Sequence, residues 1–423
     1  MRFLSHPARS RPDAAPERTL RSIRAARTAR LLGGLGLLLA ATALPAQQAQ
    51  YHEENGYLVR EISGTLAGAA HFRVVTRSEL GDIRVHGIPG PDLQYRIRIR
   101  SRAGSQAREM VDGFAVEVRR SGNTYEIHTE APRLPGRAPW SNVDAQLDLG
   151  VPAGASSVSL QAAVGNIEVE DLNTPMLWVT DSAGSVSGDR LGGAVRIATA
   201  SGNIELGRVA GRVSAHSAGG SVAVQDGGQA VEIASLGGNL NIGHAGGAVR
   251  AETAGGAITI GSADGDVVAN TAGGNITLGR IAGQVRSQTA GGNIRIQAAR
   301  SVRCATSGGN IELHDVDGAV RAETAAGAIL ADIIARAASF GASRLVSAAG
   351  AISISLPGNL PVTVRADIDA PGGHRLRSDF KELGSPYSEP DGERLSVEGQ
   401  LNGGGPVLRL VSTSSDITIR RRP

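Results

Sequence analysis

A nine-residue repeat constrains the fold of this chain more than any other feature. From position 186 to position 294 every ninth residue is Val, Ile or Leu, and a Gly stands two positions before nearly every one of them. A fixed period with one apolar and one turn residue per unit is typical of a stacked repeat. These apolar anchors are Val186, Val195, Ile204, Val213, Val222, Val231, Leu240, Val249, Ile258, Val267, Ile276, Val285 and Ile294 and, after one deleted residue, Val302, Ile311, Val320 and Ile329.

The true period is 18, because the residue two positions beyond each anchor alternates in size. Residues i and i+2 of a strand point to the same side, so each strand should bury two side chains. We expect the glycines to supply positive φ at the corners. The sequence thus predicts an all-β fold, a parallel β-solenoid with 18-residue, two-strand coils. The second position is large in Leu206, Val224, Ile242, Ile260, Leu278, Ile296 and Leu313, and mostly small elsewhere, as in Ala215, Ala251, Ala269, Ser287, Cys304 and Ala322.

The flanks of the repeat have strand character without its rhythm. We predict an N-terminal β-rich cap over residues 47–160, repeats over 161–358 and a C-terminal β-rich cap over 359–423, because the ends of a solenoid expose unpaired strand edges that need covering. Within the first cap, residues 104–112 are expected to form a short helix. Within the second, the Asp-, Gly-, Pro- and Ser-rich segment 367–394 is predicted to be a loop.

The N-terminus predicts export. Eight arginines precede an apolar run from Leu31 to Leu44, which is too short to span a bilayer, so residues 1–46 are interpreted as a signal peptide. Cleavage after Ala46 and cleavage after Ala43 both fit. The eight arginines against Asp13 and Glu17 give this segment a net charge of +6, and the whole chain carries +3. The mature chain is then about −3, which disfavours nucleic acid as a partner, and no apolar segment of spanning length remains in it.

Several motifs resemble one protein family. They are ELGDIRV (79–85), LDLGVPAGASSVSLQAAVGNIEV (147–169), the repeated [TS]-A-G-G-N-I and STSSDITI (412–419). On these the chain resembles the bacterial β-strand-repeat proteins described as putative adhesins, which contain a domain of unknown function. The resemblance covers most of residues 57–419 and implies an exported β-solenoid. It implies no catalytic or ligand-binding residues.

The residue after the anchor forms the main candidate site. Arg196, Arg250, Arg286, Arg303 and Arg321 occupy this outward position on one of the two sheets, and the last three fall on successive coils. Such a row could bind an acidic polysaccharide through bidentate contacts. The alternative is solvated charge that limits aggregation, with Glu252 and Glu323 nearby.

Other polar patterns favour structural roles. Hydroxyl and amide columns at the corners are best explained as ladders that satisfy corner backbone groups. Calcium in the repeat is disfavoured, because Leu278 stands where the calcium-binding nonapeptide needs an Asp ligand. His216, His244 and His314 lie far apart in coil order, so we expect no metal or other cofactor, and Cys304, in an inward column, is expected to be buried and inert. The columns are Thr199, Ser217, Ser235, Thr253, Thr271, Thr289, Thr306 and Thr324, and Asn203, Asn239, Asn275, Asn293 and Asn310.

Short corners leave no walls for a catalytic cleft, so the chain is not expected to be an enzyme. The favoured function is a non-enzymatic exported solenoid, an adhesin or cell-envelope scaffold that presents flat repeat faces to an envelope or surface polysaccharide. One alternative is a periplasmic accessory or sensor-type protein that binds a protein partner at a cap during envelope stress or assembly. The least favoured alternative is a polysaccharide-active β-helix enzyme. The expected location is the periplasm, the cell surface or the medium.

Overall fold

The computed structural model describes residues 49–132, 143–370, 372–388 and 394–422. They form 34 strands and one α-helix, which confirms the predicted all-β class. The helix, α1 (Ala107–Asp112), falls inside the predicted helical segment. No helix in the described residues has the length and hydropathy needed to cross a membrane. The predicted signal peptide lies outside the described residues.

The N-terminal part is built mainly from long strands. Strand β2 pairs antiparallel with β1 and β5, and β5 pairs antiparallel with β8. Its core includes Phe72 and Tyr125, whose rings pack edge to face with centroids 5.2 Å apart, a favoured aromatic geometry. The strands are β1 Gln50–Glu54, β2 Tyr57–Leu66, β3 Phe72–Ser78, β4 Asp82–Ile88, β5 Leu93–Arg102, β6 Ala115–Ser121, β7 Thr124–Glu130, β8 Val143–Pro152 and β9 Ala155–Ala162.

Short strands follow through the repeated part of the chain. They are β10 Ile167–Glu170, β11 Met176–Asp181, β12 Val186–Asp189, β13 Ala194–Thr199, β14 Ile204–Val209, β15 Val213–Ser217, β16 Val222–Gly227, β17 Val231–Ser235, β18 Leu240–Ala245, β19 Val249–Thr253, β20 Ile258–Ala263, β21 Val267–Thr271, β22 Ile276–Gln288, β23 Ile294–Thr306, β24 Ile311–Val316, β25 Val320–Thr324, β26 Ile329–Ile333, β27 Ser343–Ser347 and β28 Ile352–Pro357. Most of them pair in parallel with the strand two further along. Val195, for example, lies opposite Val213, and Val213 lies opposite Val231. Paired residues are thus separated by the full period of the repeat.

The parallel pairings join these strands into two rows. The first row contains β9, β11, β13, β15, β17, β19, β21, the C-terminal halves of β22 and β23, β25 and β27. The second row contains β4, β10, β12, β14, β16, β18, β20, the N-terminal halves of β22 and β23, β24, β26 and β28.

The burial pattern confirms the two predicted inward side chains of the repeat strands and shows a third buried residue on most of them, such as Thr253 in the first row and Ala263 in the second. In the first row Val249 and Ala251 are buried, and in the second row Ile258 and Ile260 are buried. The core therefore combines large pairs from one row with smaller pairs from the other. Burial of one such aliphatic side chain contributes roughly 1.5–3 kcal/mol.

The repeat glycines are required for a reason other than the predicted one. In the described residues, the glycines with positive φ lie outside the run of corners from Gly184 to Gly350, so the expectation of positive φ there was wrong. The corners instead stack very closely. A Cβ on Gly256 would lie 2.0 Å from the carbonyl oxygen of Gly238, and one on Gly274 would lie 2.0 Å from that of Gly256. Only a residue without a Cβ allows this approach.

The two polar columns satisfy corner backbone groups, as interpreted from the sequence. The Thr253 hydroxyl donates to the carbonyl oxygen of Gly238 (2.9 Å) and accepts from the backbone N–H of Gly256 (3.3 Å). The Asn239 side-chain oxygen accepts from the backbone N–H of Ala257 (2.9 Å). All eight hydroxyls and all five amides of the columns make equivalent bonds.

The C-terminal part continues both rows with chain that arrives out of sequence order. Strand β27 pairs with β33 and β28 with β34, while β29 joins the far side of β33 and β32 runs antiparallel to β29. The predicted loop 367–394 is partly wrong, because its described residues include the end of β29, β30, a 3₁₀ turn at Lys381–Leu383 and β31. The strands are β29 Val362–Ile368, β30 Leu376–Ser378, β31 Tyr387–Ser388, β32 Leu395–Leu401, β33 Val407–Ser412 and β34 Ile417–Arg422.

The hydroxyl column can be tested with Thr271→Val. The Thr271 hydroxyl donates to the Gly256 carbonyl oxygen (2.8 Å) and accepts from the Gly274 N–H (3.2 Å), and valine keeps the shape but loses both bonds. We expect the free energy of unfolding to fall by about 1–3 kcal/mol, measured by urea denaturation. Thr277→Val, at an exposed position of β22, should have little effect. Equal losses in both variants would contradict the assigned role.

Asp181 breaks the hydroxyl column at its N-terminal end. It lies opposite Thr199 and is buried. One carboxylate oxygen, Oδ1, accepts from the backbone N–H of Ala183 (3.3 Å). The other, Oδ2, has no hydrogen-bond partner among the described residues. Burial raises the pKa of this carboxyl, because the charged form loses its hydration.

The raised pKa predicts the effect of Asp181→Thr. A group whose pKa is higher in the folded chain lends stability at low pH and loses it as the pH rises through that pKa. The substitution should therefore raise the free energy of unfolding at pH 7, with a gain that shrinks as the pH falls toward about 4, the ordinary pKa of Asp. Denaturation curves at several pH values check this. Asp264→Thr, at a side chain that is 67% exposed, is the control, and a pH-independent gain at Asp181 would refute the argument.

Candidate polyanion-binding face

The structure places all five predicted arginines on exposed positions of the first row, but in unequal surroundings. Arg196 lies between Trp178 and Ser214 on the neighbouring strands. Arg250 lies between Glu232 and Val268. Neither has another arginine beside it.

The other three predicted arginines are direct neighbours. Arg286 lies opposite Arg303, and Arg303 lies opposite Arg321. Paired strands are about 4.8 Å apart, so the backbones that carry these arginines follow one another at that interval. The predicted succession of these three residues is confirmed.

The structure extends this succession by three residues that sequence reasoning missed. Arg321 lies opposite Arg344, Arg344 opposite Arg409, and Arg409 opposite Arg365. These six residues, Arg286, Arg303, Arg321, Arg344, Arg409 and Arg365, are called the arginine row below. The sequence period did not reveal Arg344, because the connection before β27 is longer than the others. It did not reveal Arg409 and Arg365, because β33 and β29 pair in an order that differs from their order in the chain. A signal was present, since both Arg344 and Arg409 begin the tetrapeptide RLVS.

Carboxylates neutralise only part of the arginine row. Arg365 Nε lies 2.8 Å from Glu398 Oε1, and Arg344 Nε lies 4.0 Å from Glu323 Oε1. For Arg286, Arg303, Arg321 and Arg409, no carboxylate of the described residues lies within 4.0 Å. Arg250, outside the row, is paired with Glu252 at 2.5 Å. The four unpaired guanidinium groups are therefore the ones available to an external anion.

The arginine row is unfavourable for folding. Two like charges at about 4 Å repel by about 1 kcal/mol in water before salt screening, and like charges directly opposite each other destabilise a sheet. Here the repulsion acts most directly among Arg286, Arg303 and Arg321, which are consecutive neighbours and have no carboxylate of the described residues within 4.0 Å. Solubility alone can be achieved by a surface that mixes positive and negative charges, as in the Arg250–Glu252 pair. In the arginine row, by contrast, like charges follow one another on neighbouring strands.

A groove on the first row has a different character. It is an open depression of about 820 Å³ along the corner that follows β13, β15, β17, β19 and β21. Its lining is mostly alanine and the hydroxyl column, with Leu236 68% exposed. Near the arginine row its lining consists of Gln288, Thr289 and Ala290, which follow Arg286 along the chain, and Ser307, which follows Arg303. The groove therefore adds no positive charge to the candidate site.

Other reactive side chains are dispersed. Cys304 is buried, and burial raises the pKa of its thiol far above the ordinary value, which disfavours the nucleophilic thiolate. His244 Nδ1 lies 3.0 Å from the Ser262 hydroxyl oxygen, while His244 Nε2 is 4.0 Å from Asp264 Oδ2. No group of three or more His, Cys, Asp or Glu side chains in the described residues is placed to hold a metal ion.

Comparisons with known proteins give likenesses to solved structures. No family model matches the chain, and no curated protein matches it. A putative cell adhesion protein from Clostridium sporogenes is 8% identical, with 86% of this chain and 100% of that one covered and a TM-score of 0.21. A putative adhesin from Bacteroides fragilis is 13% identical (86% and 97% covered, TM-score 0.19). A putative lipid binding protein from Parabacteroides distasonis is 12% identical (85% and 96% covered, TM-score 0.23). Two of these three structures are described as putative adhesion proteins, the same description as that of the family which the sequence motifs resemble.

Charge repulsion in the arginine row predicts that Arg303→Gln stabilises the protein. The free energy of unfolding should rise by about 0.2–1 kcal/mol at low ionic strength, and the gain should shrink as salt screens the charges. Arg196→Gln, at a position flanked by Trp178 and Ser214, should give no such gain. Thermal or urea unfolding across a salt series measures both. A loss of stability in Arg303→Gln would show that repulsion between the guanidinium groups does not destabilise the fold.

Proposed function

We propose that this chain is an exported, non-enzymatic parallel β-solenoid with 18-residue, two-strand coils that binds an acidic polysaccharide along the arginine row. The pairing of residues one period apart in both rows supports the coil. The polymer belongs to the cell envelope or to another surface, which makes the protein an adhesin or an envelope scaffold. Its location is the periplasm, the cell surface or the medium, after removal of residues 1–46.

The observation that carries this proposal is the uninterrupted arginine row. Each guanidinium can bind a carboxylate through two parallel hydrogen bonds, and such pairs are stronger than neutral hydrogen bonds. An exposed pair contributes only about 0–1 kcal/mol. Side chains fixed at a regular interval, however, can engage a polymer at several points, and each further contact is intramolecular. A flat row on paired strands therefore favours an extended polymer over a small anion.

Charge and composition favour a polysaccharide over nucleic acid. The chain without residues 1–46 carries about −3, so the arginine row is a local exception and not part of a basic protein. None of the outward residues directly beside the arginine row on β22, β23, β25 and β27 is aromatic. Bound single strands usually stack their bases on such rings.

We propose that residues 161–358 are the solenoid and that 47–160 and 359–423 cover its two ends. The antiparallel strands β2, β5 and β8 support the first assignment, and the antiparallel β29–β32 pair supports the second. Arg365 and Arg409 would then belong to the C-terminal cap. On this assignment the cap both closes the rod and lengthens its binding face.

The proposal is tested by a matched pair of double variants. Arg303→Gln with Arg321→Gln removes two charges from the middle of the arginine row. Arg196→Gln with Arg250→Gln removes two charges from the same outward column, away from the row. Retention on immobilised polyuronate and on whole cells is measured across a salt series. We expect the first variant to lose about tenfold or more in affinity, with a shallower salt dependence, and the second to bind like the parent.

Equal losses in the two variants would mean that only net charge matters. An absence of polymer binding by the parent would refute the proposed function. Retention on cells without retention on polyuronate would favour a protein partner at one of the caps.

A further inference from the structure

The arginine row ends in an open cavity of about 460 Å³. Arg409 and Arg365, the last two members, line it together with residues of β31 and β32. Ligand pockets in proteins commonly measure about 300–1,000 Å³, so this cavity can hold one small ring.

Four neighbouring strands, in the order β33, β29, β32 and β31, bring the lining together. Strand β29 places Arg365 opposite Glu398 of β32 and Asp367 opposite Ser396. Strand β31 then places Tyr387 opposite Ser396, on the outer side. The cavity therefore has cations on the side of the arginine row and an aromatic ring on the far side.

The lining contains complementary polar groups. Arg409 has no carboxylate of the described residues within 4.0 Å, whereas Arg365 Nε is held by Glu398 Oε1 at 2.8 Å. The Ser396 hydroxyl donates to Asp367 Oδ1 at 2.8 Å. The Tyr387 side chain is unusually open for a large apolar group, with the residue 56% exposed.

We propose that this cavity binds the terminal sugar acid of the polysaccharide that lies on the arginine row, an inference that rests on the proposed function. The sugar carboxylate pairs with the free guanidinium of Arg409. The apolar face of the sugar ring packs on Tyr387, whose ring offers a large contact area with a polar end. The carboxylates of Asp367 and Glu398 accept hydrogen bonds from sugar hydroxyls.

The two carboxylates also select the ligand class. A phosphate polymer carries about one charge per unit, as a polyuronate does, but its phosphate groups offer only acceptors to Asp367 and Glu398 and leave these carboxylates without a donor. A sugar acid carries one charge and several hydroxyl donors. The lining therefore favours a uronate over a phosphate polymer.

The experiment measures binding of two probes, monomeric glucuronate and a polyuronate, to the full protein by ligand-observed NMR and by calorimetry. Arg409→Gln should weaken glucuronate binding by about tenfold, since it removes a charged hydrogen bond, and Tyr387→Ala should weaken it several-fold. The control alters an exposed aromatic beside another arginine of this column, in Trp178→Ala with Arg196→Gln, and should bind glucuronate like the parent. Arg303→Gln with Arg321→Gln should reduce polyuronate binding and leave glucuronate binding unchanged.

Each outcome separates the two ideas. If polyuronate binds through the arginine row while glucuronate does not bind, or binds regardless of Tyr387 and Arg409, the end site is refuted and the proposed function stands. If inorganic phosphate or neutral glucose competes as well as glucuronate, the assigned ligand class is wrong. If neither probe binds, both proposals fail.

Discussion

Backbone pairing between strands one repeat period apart is the constraint on which the rest of this structure depends. It places Val195, Val213 and Val231 in line. Each inward position of the repeat therefore forms a column of buried side chains, and these columns make up the core. It also brings successive corners so close that a Cβ on Gly256 would lie 2.0 Å from the Gly238 carbonyl oxygen. Because the backbone groups at these corners are out of reach of the strand ladders, side chains such as Thr253 and Asn239 must bind them.

The same register also aligns the outward side chains of neighbouring strands, although these side chains do not pack in the core. A substitution that is neutral at one strand becomes part of a column when it recurs in every period of the repeat. For hydroxyls the column satisfies the backbone, as at Thr271. For arginines it brings like charges side by side, as at Arg286 and Arg303, and this opposes folding. Unlike the hydroxyl column, the arginine row satisfies no corner backbone groups in the described residues, and carboxylates pair only with Arg365 and Arg344. Under the proposed function, an anionic polymer would neutralise the remaining arginines.

How far the sequence predicted this arrangement depends on the regularity of the chain. The period located the inward positions, the corner columns and the neighbours Arg286, Arg303 and Arg321, because equal spacing in sequence becomes adjacency in space. It did not locate Arg344, because the connection before β27 makes the offset from Arg321 to Arg344 longer than the period. Nor did it locate Arg409 and Arg365, since β33 pairs with β27 before β29 does. It also gave the wrong reason for the corner glycines, because the distance between carbonyl groups of stacked corners is not a local property of the chain.

The out-of-order strands at the C-terminus bear on the proposed function. A strictly sequential repeat presents the same outward face on every coil, so a bound polymer could slide by one strand without a change in energy. Here β29, β32 and β31 end the arginine row with Glu398, Ser396 and Tyr387, which differ in charge and shape from every guanidinium before them. A repetitive surface provides affinity through the number of contacts. The alignment of a bound polymer along that surface, however, has to be set by a position that is not repeated. The end of the row is such a position, and it would fix both the direction and the alignment of a polymer bound beside it.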